Sequence, residues 1–306
     1  MQPSTTSTAA NRRGILMMVG AMAGFVVNDA LVKYVSQTLP SAQLIFMRGA
    51  MATLLVLGVA CLLGAAAQLG KVLQPRVAVR ACVDACATVI YLLSLFHLPL
   101  ANATAINLAA PLFMVVFAVW FLKEQPGAAR WAAVAVGFAG VLCVVQPRSD
   151  GFNAWALLCL GGTVLHATRD LMTRCIDPAI PSIVVTLATA LAVTLLSGAM
   201  SLAQGWQPFG AAELALLAAA AVFLAIGYFL IIQCMRTGEV SLTAPFRYAA
   251  LLFAVVLGYV VWGDVPNLWA WCGIALLVGS GLYVVHHERA RTVARARAIA
   301  LAAQAD

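Results

Sequence analysis

The sequence predicts an all-α membrane protein of ten transmembrane helices, built as two inverted five-helix repeats. Three observations predict it: composition, ten apolar stretches, and an internal repeat. The 306 residues are 63% hydrophobic and 9% charged. Soluble domains are about 45–50% apolar and about 25% charged. No single core of this length could hide so many apolar side chains, but a bilayer can solvate them. Composition therefore excludes a cytosolic enzyme, a disordered chain and a secreted disulfide scaffold.

A spanning helix needs about 20 mostly apolar residues. Stretches of that kind fall at 14–35, 41–63, 77–97, 102–122 and 128–146. A second set follows at 153–174, 182–203, 212–235, 242–262 and 268–286. Breaks such as Leu39-Pro40-Ser41, Gln74-Pro75, Gln125-Pro126-Gly127 and Asp264-Val265-Pro266 divide them. The first run follows Arg12-Arg13 but is too long for a signal-peptide core, and is read as an uncleaved helix. The eight cysteines lie singly in apolar runs, except Cys82 and Cys86, whose spacing is helical stacking rather than C-x-x-C. They are read as small packing residues.

Basic residues set the orientation. Arg12, Arg13, Lys71, Arg76, Arg80, Lys123, Arg130, Arg174, Arg236 and the arginines of 289–297 fall on one side, against Lys33 and Arg148 on the other. The positive-inside rule then places both termini in the cytoplasm, in the bacterial inner membrane. The tail at 287–306 reads as a cytoplasmic basic anchor rather than a nucleic-acid site.

The repeat is the most informative feature. Residues 100–145 slide onto 240–285, matching Leu112-Phe113 with Leu252-Phe253, Pro126 with Pro266 and Trp131 with Trp271. A register one residue longer matches Asp29 with Asp170, Lys33 with Arg174 and Pro40-Ser41 with Pro181-Ser182. The expected units are 12–146 and 153–286. Five helices per unit is odd, so the second unit enters the membrane inverted. Inverted repeats are a transporter signature, with a binding site near the midplane.

At this point the chain resembles the EamA-type members of the drug/metabolite transporter superfamily. The residues that carry it are Ala109-Ala110-Pro111-Leu112-Phe113 with Leu122-Lys123-Glu124-Gln125-Pro126, and Thr243-Ala244-Pro245-Phe246-Arg247-Tyr248 with Gly263-Asp264-Val265-Pro266. The opening helix, with Asp29-Ala30-Leu31-Val32-Lys33-Tyr34, is similar as well. The resemblance implies gradient-linked movement of small metabolites, bacterial members often exporting amino acids, aromatic ones among them. Another subgroup resembles S-adenosylmethionine uptake carriers. Asp264 stands where the family more often has Glu.

Charges inside apolar helices are expensive and mark candidate function. Asp84, with Arg80 one turn earlier and Tyr91 on the same face, is either a proton-coupling carboxylate or one half of an ion pair. His166, Arg169, Asp170 and Thr173 share one helical stripe, which lines a path or pairs structurally. Asp29–Lys33 and Asp170–Arg174 share a spacing that suggests symmetric pairs. Arg48 and Arg247 could meet a substrate carboxylate or neutralise Asp29 and Asp170. Tyr91, Asn102, Asn107, Tyr228, Gln233 and Tyr248 offer hydrogen bonds and aromatic walls. Pro111 and Pro245 are hinge candidates. Nothing suggests a cofactor, a metal, a nucleophile or a P-loop, so no enzyme is expected. The expected function is export of amino acids and related compounds by alternating access. Uptake of S-adenosylmethionine or a nucleotide-like solute, and a passive channel, stand as alternatives. The expected partners are a small-molecule substrate, lipid and possible coupling protons, with monomer or homodimer left open.

Overall fold

Lipid offers no hydrogen bonds, so apolar segments of this length must satisfy their backbone internally, as helices. The computed structural model describes residues 5–122, 127–146, 154–173, 175–237, 243–283 and 286. All its regular structure among these residues is helical. The first half holds α1 (Thr5–Val35), α2 (Ser41–Leu62), a 3₁₀ segment (Ala65–Leu73), α3 (Pro75–His97), α4 (Leu100–Asn107), α5 (Ala110–Leu122) and α6 (Ala128–Val145). The second holds α7 (Ala154–Thr173), α8 (Ser182–Gln204), α9 (Ala211–Thr237), a 3₁₀ turn (Ala244–Tyr248), α10 (Ala249–Trp262) and α11 (Leu268–Tyr283).

Among the described residues, seven helical spans are long and apolar enough to cross a membrane: Arg12–Val35, Ser41–Leu62, Pro75–His97, Leu100–Phe117, Ser182–Gln204, Ala211–Ile231 and Pro245–Trp262. Two shorter apolar helices, Trp131–Val145 and Leu268–Tyr283, and the 20-residue α7 fall on the remaining expected stretches. Proline sets several boundaries. Pro40, Pro99 and Pro181 precede α2, α4 and α8, and Pro75 opens α3, where a missing N–H is harmless. Gly263 ends α10 in a left-handed conformation (φ 69°), which turns the chain into Asp264-Val265-Pro266.

The stretch expected as one helix over 102–122 is two. Pro111 cannot donate to the Asn107 carbonyl, and its ring crowds that carbonyl. The helix breaks at Leu108 and Ala109 and restarts at Ala110. The stretch over 242–262 likewise departs from α geometry beside its proline, beginning as the 3₁₀ turn that contains Pro245. The turn at Glu124 and Pro126, Arg148, Arg174 and the tail 287–306 lie outside the described residues.

Helix packing has a regular pattern. The most extensive interfaces join α1 to α9, α3 to α7 and α2 to α8. Others join α3 to α8, α2 to α9, α1 to α10, and α7 to α4 and α5. Replacing each helix by its counterpart five segments along, so that α1 becomes α7 and α3 becomes α9, carries this set of contacts onto itself. Counterparts also meet directly: Thr53 and Thr194, matched by the repeat, hydrogen-bond at 3.1 Å. Small residues permit the approach. A Cβ on Gly24 would lie 3.0 Å from the Phe223 carbonyl, and one on Gly162 would lie 3.3 Å from the Tyr91 amide.

Polar contacts between connections order the two ends of the bundle. Gln43, at the start of α2, exchanges hydrogen bonds with Gln207 in the α8–α9 connection. Arg76, at the start of α3, reaches the Cys175 carbonyl after α7. The α2–α3 and α8–α9 connections, counterparts in the repeat, therefore emerge at opposite ends.

Candidate translocation site

Two groups of charged side chains lie within the apolar helices. Asp84 on α3 is buried, with side-chain exposure of 4%. Arg80, one turn earlier, approaches one carboxylate oxygen at 3.1 Å, and Arg169 on α7 donates to the other at 2.8 Å. The Thr189 hydroxyl donates to Asp84 at 3.1 Å. Arg80 bonds to the hydroxyls of Thr189 and Thr173, and Arg169 also pairs with Asp170 at 2.8 Å. Two guanidinium groups and two carboxylates so neutralise one another across α3, α7 and α8. Pairing of this kind offsets the large desolvation of each charge.

The second group centres on α1. Asn28 donates to Asp29 Oδ1 at 2.9 Å and accepts from Arg48 of α2 at 3.2 Å. Tyr91 of α3 donates to Asp29 Oδ2 at 2.9 Å. Between the groups, His166 Nδ1 hydrogen-bonds Asn107 Oδ1 at 2.9 Å, and its ring lies 6.0 Å from that of Tyr91. Tyr228 of α9 packs edge-on to Phe25 at 5.3 Å. It lies within electrostatic reach of Arg48, Asp84, Arg80 and Arg169. His166, Asn107, Tyr91 and Tyr228 thus set polar and aromatic side chains beside the two charged groups.

Other residues singled out from sequence lie elsewhere. Arg247 is exposed on the 3₁₀ turn and makes no ion pair among the described residues. The Tyr248 hydroxyl packs against Gly281 of α11, where a side chain would not fit. Asn102 Oδ1 is buried without a hydrogen bond. The spacing that suggested an Asp29–Lys33 pair is not used as one. Lys33 instead donates to the Leu98 carbonyl and sits 5.2 Å over the Trp262 ring. A lysine near a helix end reaches along its stem to the nearest polar group. Among the described residues no group of His, Cys, Asp or Glu could hold a metal ion.

Asn28 and Thr189 escaped the sequence reading. The repeat register could have found them, since it carries Asn28 onto Arg169 and Arg48 onto Thr189. All four stand in the charged groups just described.

Apolar helices of spanning length that enclose paired charges define a polytopic membrane protein, and comparison with known families places it among transporters. The chain belongs to the EamA-like transporter family, whose model matches residues 12–146 and 153–285. It is 28% identical over 281 residues to a riboflavin transporter of Rhizobium johnstonii, covering 91% of this chain and 92% of that one. It is 29% identical over 285 residues to a pseudopaline exporter of Pseudomonas aeruginosa, covering 90% and 94%. An S-adenosylmethionine uptake transporter of Rickettsia prowazekii is 24% identical over 279 residues, covering 90% and 93%. A protein of known crystal structure shares the fold with a TM-score of 0.64 at 20% identity, covering 91% of this chain and 97% of its own.

Proposed function

We propose that this chain is a secondary carrier that exports amino acids and related small metabolites across the bacterial inner membrane. Two inverted five-helix repeats, 12–146 and 153–286, rock against each other to give alternating access. Both termini then lie in the cytoplasm. The observation that carries this reading is the placement of charges at the contact between the halves. Asp84 and Arg169, Thr189 and Asp84, and His166 and Asn107 each join one half to the other. These are bonds that a rocking motion would break and remake. The self-consistent packing of counterpart helices supports the same geometry.

Asp84 is the proposed proton-coupling group. A proton on its carboxylate removes the charge that holds Arg80 and Arg169, which loosens α3 from α7. The side chains of Tyr91, Asn107, His166, Arg169 and Tyr228 are the proposed contacts along the path, with Pro111 and Pro245 as hinges. Counterflow in proteoliposomes tests the carrier mechanism. Preloaded unlabelled amino acid should drive accumulation of labelled amino acid, and a passive channel would show none.

Uptake is the second reading. A relative named for S-adenosylmethionine uptake favours it, and one named for riboflavin transport supplies a second solute to offer. The same vesicles, offered those two solutes, separate it from the first.

A further inference from the structure

The charged group on α1 and α2 is arranged differently from the one around Asp84. There, acids and bases are paired directly. Here, Arg48 and Asp29 form no ion pair, although each lies within electrostatic reach of the other. The Asn28 side chain is inserted between them, its amide nitrogen on Asp29 Oδ1 and its oxygen on Arg48. Arg48 is 5% exposed and Asn28 2% exposed. A guanidinium carries several N–H donors in a planar fork. Among the described residues Arg48 uses one, and its Nε is buried without a partner. Asp29 accepts one bond on each oxygen and keeps lone pairs on both.

An unpaired buried cation is unfavourable, and a direct bond to Asp29 would relieve it. Asn28 holds the two apart and leaves each with unused capacity. Asp29 and Tyr228 are each half-buried. Phe25 lies one turn from Asp29 on the same face of α1, and its ring meets Tyr228. Cation, anion and aromatic wall therefore stand side by side.

We infer that Arg48 and Asp29, spaced by Asn28, form a head-group site for a zwitterionic α-amino acid. The substrate carboxylate takes the free donors of Arg48, the ammonium takes the free lone pairs of Asp29, and the side chain rests on Phe25 and Tyr228. The site specifies the substrate's head group and so rests on the amino-acid reading above.

The full chain, purified in detergent, is titrated with L-phenylalanine, L-leucine and L-methionine. It is then titrated with L-phenylalaninamide, which lacks the carboxylate, and 3-phenylpropanoate, which lacks the ammonium. Each lost charged hydrogen bond should weaken binding by about tenfold to a hundredfold. Arg48→Gln should abolish the advantage of phenylalanine over its amide, and Asp29→Asn its advantage over 3-phenylpropanoate. If the three amino acids bind but the truncated analogues bind as well, the head-group site is wrong while the amino-acid reading stands. That comparison needs only the native chain, so a variant that fails to fold does not blunt it. Should none of the three amino acids bind, the amino-acid reading falls and the site with it.

Discussion

Asp84 illustrates how much one side chain decides in an apolar bundle. It receives two guanidinium groups and a hydroxyl. Removing it leaves two largely enclosed cations to share Asp170 alone. Breaking a buried pair in this way costs about 3–5 kcal/mol, so Asp84→Ala should lower the thermal midpoint in detergent sharply. Replacing Arg169 with Leu in the same chain should restore part of that loss. Asp84→Asn keeps the shape but removes the carboxylate proposed to take the coupling proton. Substrate flux driven by a pH gradient should vanish in this variant, while counterflow at equal pH persists; full pH-driven flux would exclude Asp84 from coupling. Of these contacts, the Arg80–Asp84 pair was legible because it obeys helical spacing. Arg169 and Thr189 lie 85 and 105 residues away, and no local rule connects them to Asp84.

Helices pack here through small residues, and the close approaches predict where bulk is not tolerated. A Cβ on Gly227 would fall 2.6 Å from the Phe25 ring. Gly227→Val should therefore push α9 from α1 and cost about 1–3 kcal/mol, as overpacking does, measured by thermal denaturation. Gly161 faces open space, and alanine there should be neutral. The helix breaks at Leu108–Ala109 and in the Ala244–Tyr248 turn carry a prediction of a different kind. Replacing Pro111 and Pro245 together by Ala restores the missing backbone donors. Transport should fall while the melting midpoint holds or rises; undiminished transport would rule them out as hinges. The prolines were visible in sequence, but the exact break was not. It falls two or three residues before Pro111, because the conflict lies with the Asn107 carbonyl four residues back.

At the scale of the molecule, the counterpart connections α2–α3 and α8–α9 emerge at opposite ends. With the native cysteines replaced by Ala, Gly70→Cys and Pro208→Cys should react with an impermeant maleimide from opposite sides of the membrane. Labelling of both from one side would refute the inverted arrangement. The helical fold, the family and the repeat register were all written in the sequence. Hydrophobicity, proline and residue spacing act locally, and a repeat declares itself by comparison of the chain with itself. The sequence also narrowed the buried charges to a short group that contained Asp29, Arg48, Asp84 and Arg169. What it could not determine was which of these neutralise one another and which are held apart. In a low-dielectric interior that outcome turns on ångström separations between side chains on different helices. Packing alone set those separations: it closed Asp84 between two arginines, and it placed Asn28 between Asp29 and Arg48.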